Sequence, residues 1–86
     1  MSIQKPYHSE SRTIWYVTDG TGACATLALG QVYRSTTGNE FKLVDVTWHT
    51  GIVIVVQVNN NHAGDRYIWR VESLVNRNMT LLAASK

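Results

Sequence analysis

Along most of the chain, apolar residues recur at intervals of two in short runs broken by Gly, Asn, Asp and Ser, a pattern of β-strands joined by turns. Thr13-Ile14-Trp15-Tyr16-Val17 is rich in β-branched and aromatic types and runs into the turn signal Thr18-Asp19-Gly20, which predicts a first strand. Val32 and Tyr33 precede Ser35-Thr36-Thr37-Gly38-Asn39, whose polar, glycine-containing composition predicts a tight turn and hence a hairpin. The returning strand, Glu40 to Trp48, has Phe41 and Leu43 on one parity and Val44, Val46 and Trp48 on the other. Such a switch is what a β-bulge produces, because one extra residue resets which face the later side chains occupy. After Thr50-Gly51 comes the clearest strand, Ile52-Val53-Ile54-Val55-Val56-Gln57-Val58.

Asn59-Asn60-Asn61 and Gly64-Asp65 bracket a loop, after which Tyr67, Trp69 and Val71 alternate with Arg66, Ile68 and Arg70. One face of that strand is aromatic and the other mostly basic. Glu72 to Asn78 predicts a helical turn, and Met79-Thr80-Leu81-Leu82 a last short strand. Gly22 to Gly30 reads equally as a helical turn or a strand, since its Ala and Leu favour helix while the run is short and bounded by glycine. Residues 1–11 contain the single proline, Pro6, and little periodicity, which predicts an N-terminal arm ahead of one domain over residues 12–86.

Five to six short strands with one helical turn predict a mainly β fold, a small antiparallel barrel. From Gly30 to Leu82 the element order resembles SH3-like barrels. Gly30-Gln31-Val32-Tyr33-Arg34, Gly38, the valine-rich strand and Trp69-Arg70-Val71-Glu72 together resemble short uncharacterised proteins of lambdoid phages and prophages. The resemblance covers no catalytic motif. It implies an accessory role, such as modulating or inhibiting a host or defence protein.

The chain has 86 residues, too few for a second independent core, and its 44% apolar content is that of a folding protein. A formal charge of +2 excludes mimicry of the DNA backbone and is too small to argue for nucleic acid on electrostatics alone. A single cysteine, Cys24, permits no internal disulfide, residues 1–13 lack the apolar run of a signal peptide, and Ile52 to Val56 is too short to cross a bilayer. A cytoplasmic location without membrane contact is expected.

Candidate chemistry is sparse. Gly20-Thr21-Gly22-Ala23-Cys24-Ala25 matches a dinucleotide fingerprint in form, but the chain lacks the βαβ units that such a site requires. Cys24 with His49 and Asp45 would be needed for thiol catalysis, yet the neighbours of Cys24 carry no charge to activate it, so a structural thiol is expected. His8, His49 and His62 match no zinc spacing. We therefore expect no enzyme, cofactor or metal.

The strongest constellation is Arg66, Tyr67, Trp69 and Arg70, joined by Tyr33, Arg34 and Trp48. Trp, Tyr and Arg dominate protein-binding hot spots, which points to a protein partner. Aromatic stacking with guanidinium–phosphate pairing would instead make Arg34, Arg66, Tyr67, Trp69 and Arg70 a single-stranded nucleic-acid site. The ordinary alternative is that the aromatics pack inward and the arginines meet water. Ile52 to Val58 is apolar on both faces, so the segment from Met1 to Leu29, a target protein or a second copy in a homodimer must cover it.

Overall fold

The structure, a computed structural model, describes residues 2–9, 12–20, 22–75 and 79–83. Among these the fold is mainly β, with nine strands and one short helix: β1 Ser2–Ile3, β2 Tyr7–Ser9, β3 Arg12–Thr18, β4 Ala23–Leu27, β5 Val32–Arg34, β6 Glu40–Thr47, β7 Ile52–Gln57, β8 Arg66–Arg70, α1 Val71–Val75 and β9 Thr80–Ala83. The ambiguous segment ahead of Gly30 is therefore a strand, and the helical turn begins one residue before Glu72.

The strands form two antiparallel sheets and do not close into a barrel. One sheet has β3 at its centre, with β1 and β2 paired along it and β4 also bonded to it; the other runs in the order β8-β7-β6-β5-β9. Closure would require pairing between β8 and β9, which lie at opposite edges. What residues 2–27 add is a separate layer rather than an extension.

Residues 2–9 depart most from expectation, because they are not a loose arm. Ser2 and Ile3 pair with Thr18 and Val17, and Tyr7, His8 and Ser9 pair with Ile14, Thr13 and Arg12. The Gln4 N–H bridges the two short strands to the Tyr16 carbonyl at 2.7 Å. Pro6, with no N–H to donate, lies in the break between them. Neither β1 nor β2 is long enough to show a period, so the template strand β3 defines both.

In the second sheet the parity switch is a bulge. Leu43 pairs with Val55 and Asp45 with Ile54, leaving Val44 as the extra residue. The reset places Phe41, Leu43 and Val46 all on the inner face, where each is buried. The expected hairpin turn is present, with the Gly38 N–H donating to the Ser35 carbonyl at 3.0 Å and Gly38 at φ +89°. Two of the three asparagine amides in the loop after β7 brace this turn: Asn59 Oδ1 accepts from the Glu40 N–H at 2.8 Å, and Asn60 Nδ2 donates to Asn39 Oδ1 at 2.7 Å.

The two sheets enclose one core, with Ile3, Trp15, Val17 and Leu27 from the first meeting Tyr33, Phe41, Leu43, Val46, Val53 and Val55 from the second, closed at one side by Val71 and Leu74 of α1. The N-terminal segment thus covers the Val53/Val55 face of β7. The opposite face of β7, carrying Ile52, Ile54 and Val56, is only half-buried.

Candidate functional site

The seven residues of the sequence-derived constellation fall on different sides of the second sheet. Tyr33 is buried in the core. Trp48, Tyr67 and Trp69 are half-buried and pack against that core, with Trp69 4.6 Å from the Phe41 ring centre and Tyr67 5.8 Å from it. Arg34, Arg66 and Arg70 are exposed. Arg34 is engaged by Glu40 at 3.1 Å, whereas Arg66 and Arg70 enter no ion pair among the described residues. Strict alternation along β8 accounts for the split, since neighbouring side chains must point to opposite faces.

The structure assembles something different on the outer face. Directly paired residues share a face, so the register sets three rows across β6, β7 and β8. The central row is Asp45, Ile54 and Ile68; the flanking rows are Lys42, Val56, Arg66 and Thr47, Ile52, Arg70. Ile68 is 73% exposed, the most exposed large apolar side chain among the described residues. Beside Arg70, a depression of about 290 Å³ is lined by Thr50, Gly51, Ile52 and Glu72. The face is an aliphatic stripe bordered by three cations, Lys42, Arg66 and Arg70, with the Asp45 carboxylate at the β6 end of its central row.

Sequence reasoning named Arg66 and Arg70 but missed Ile68 and Lys42. The signal was present for Ile68, as the one apolar residue on the basic parity of its strand. A second exposed pair also went unnoticed: Tyr7 and Tyr16, with ring centres 6.4 Å apart on the N-terminal sheet, come together only through the pairing of β2 with β3.

Tyr33 illustrates the core's polar interior. Its hydroxyl donates to Gln31 Oε1 at 3.0 Å, and the same oxygen accepts the Ala28 N–H at 3.0 Å, so buried Gln31 joins the two sheets' connecting segment to β5. Burial pushes the Tyr33 phenol up to about 12. The unfolded chain releases that proton near pH 10, so above this pH the folded form holds a proton that the unfolded one has lost. Its contribution to stability is whole below about pH 10 and disappears as the pH rises through 12. An open apolar cleft beside the ring, lined by Leu74, Met79 and Leu81, admits water and softens the effect. We expect a loss of about 1–2 kcal/mol across that window, absent in Tyr33→Phe, as read by denaturant titration at several pH values with tyrosinate absorbance as the control.

Catalytic groups do not converge among the described residues. No cluster of His, Cys, Asp and Glu among the described residues is placed to hold a metal ion. Asp45 Oδ1 accepts the Val46 N–H at 2.8 Å, His49 lies against Trp48, and His62 pairs with Asp65 at 3.3 Å on an exposed loop. The side chains of His8 and Cys24 lie outside the described residues. No described helix is long and apolar enough to cross a membrane. No protein-family model, curated protein or solved structure matches the chain.

Proposed function

We propose that the protein is a non-catalytic binding module that occupies a surface on another protein through the outer face of its five-stranded sheet. The observation that carries this reading is the aliphatic stripe of Ile52, Ile54, Val56 and Ile68, bordered by Arg66, Arg70 and Lys42, which enter no ion pair among the described residues. An apolar centre with an arginine rim is the composition of a protein interface. The resemblance to short phage and prophage proteins agrees with an accessory role, in which masking a host or defence factor needs no chemistry of its own. β7 has neighbours on both edges, so a target or a second copy reaches it only through this outer face.

The nucleic-acid reading is disfavoured by the inward direction of Tyr67 and Trp69, which leaves the cationic face without rings on which bases could stack. Immobilised protein exposed to extract of its producing cells is expected to retain a partner that Arg66→Ser/Ile68→Ser/Arg70→Ser, folded by circular dichroism, does not. Equal retention by the two would overturn the reading. So would salt-sensitive binding of mixed oligonucleotides that the same substitutions abolish.

A further inference from the structure

The backbone of β8 carries information that its side chains do not. Among the described residues β8 is an edge strand, bonded to β7 alone. The ladder between them is flanked by two backbone bonds, Gln57 N–H to the Asp65 carbonyl and Val71 N–H to the Gly51 carbonyl, both 2.9 Å. Antiparallel bonding alternates, so Tyr67 and Trp69 direct their N–H and C=O groups to β7, while Arg66, Ile68 and Arg70 direct theirs away from the sheet. The three residues whose side chains form the exposed row end are therefore the same three whose backbone groups are open to a further strand. Long exposed edges are usually protected by charge, proline or a covering loop. Here charge is supplied by Arg66 and Arg70, and among the described residues α1, which continues from the strand's end, is the only other element in substantial contact with β8.

We propose that this edge accepts an extended segment of a partner protein as a sixth strand, and that the segment carries an apolar residue opposite Ile68 with an acidic residue two positions away on each side. Strand addition supplies main-chain hydrogen bonds, and alternate side chains supply the selection. A residue paired directly with Ile68 lies on the outer face next to Ile68, extending the row of Ile54 and Ile68 by one strand. Residues paired with Arg66 and Arg70 lie against guanidinium groups that have no carboxylate partner among the described residues. Carboxylates there form cross-strand ion pairs, and cations repel. The same rule argues against a second copy on this edge, because antiparallel pairing about Ile68 sets Arg66 against Arg70 on both sides of the symmetry axis.

This inference rests on the binding-module reading and specifies its partner. The test uses the blocked heptapeptide Thr-Glu-Thr-Val-Thr-Glu-Thr, a lysine version with both glutamates replaced, and a version N-methylated at the valine. The acidic peptide is expected to bind and to slow hydrogen exchange at the amides of Arg66, Ile68 and Arg70, leaving those of Tyr67 and Trp69 as protected as before. The lysine and N-methylated peptides are expected to bind about tenfold more weakly or worse, and Arg66→Glu/Arg70→Glu should reverse the preference between acidic and lysine peptides. Equal binding of the N-methylated peptide overturns strand addition, and equal binding of the lysine peptide overturns the acidic selection. A concentration-dependent dimer abolished by Ile68→Asp, with no peptide bound, overturns the choice of partner. If the triple serine variant still loses its captured protein in any of these cases, the binding-module reading survives the failure of this one.

Discussion

Replacing Val55 with aspartate is expected to leave the chain unfolded at neutral pH, while the same substitution one residue later, at Val56, is expected to leave it folded. Val55 is fully buried between the sheets beside Leu43 and Tyr67, its partners in the ladder. A carboxylate there has no cation within the core and costs several kcal/mol to desolvate. A chain of 86 residues has a total stability of about 4–13 kcal/mol, so this single change consumes most or all of it. Val56 points the other way and sits directly between Lys42 and Arg66. A carboxylate on that face gains two exposed cross-strand partners in exchange for a half-exposed valine, and the net change should stay within about 1 kcal/mol. Far-UV circular dichroism and urea midpoints decide the matter, and similar behaviour of the two variants would mean that the faces are misassigned.

Deleting residues 1–9 is expected to destabilise the protein by about 3 kcal/mol or more and to lower the cooperativity of urea unfolding. An arm could be removed at no cost. The deletion strips β3 of both strands on one flank, along with the Ile3 side chain, which is 4% exposed in the core. Burial of an isoleucine alone contributes about 1.5–3 kcal/mol, and the side-chain bond from Gln4 to Thr18 Oγ1 at 3.0 Å is lost as well. An unchanged midpoint would return these residues to the status of an appendage.

How far the fold could be read from the sequence depended on whether each feature was local. The bulge at Val44 was legible because a change of parity within one strand leaves a trace in that strand. The turn at Ser35 to Asn39 and the helical turn after Arg70 were legible for the same reason. β1 and β2 were not, being two or three residues long and interrupted by Pro6, with their identity as strands resting on β3. Barrel closure also failed for a non-local reason: whether terminal strands meet depends on how a sheet curves in space.

The candidate site was legible in half. Alternation separated Tyr67 and Trp69 from Arg66 and Arg70, but a period of two shows only that the faces differ, not which one is inside. Grouping all four as one surface ignored that separation. Once the aromatics are placed against Phe41, Ile68 remains as the apolar residue among cations, and the site is a stripe with an open edge rather than an aromatic patch.

Each of the two sheets is drawn from one uninterrupted stretch of chain, residues 2–27 and then 32–83. On the ribosome this division imposes an order. The first sheet can complete its pairings as it emerges, yet Ile3, Trp15, Val17 and Leu27 have nothing to bury against until β5 to β8 follow, a few seconds later at ordinary rates of synthesis. For that interval these apolar side chains lack the partners that bury them in the folded domain, which leaves them open to wrong association until the second sheet is made.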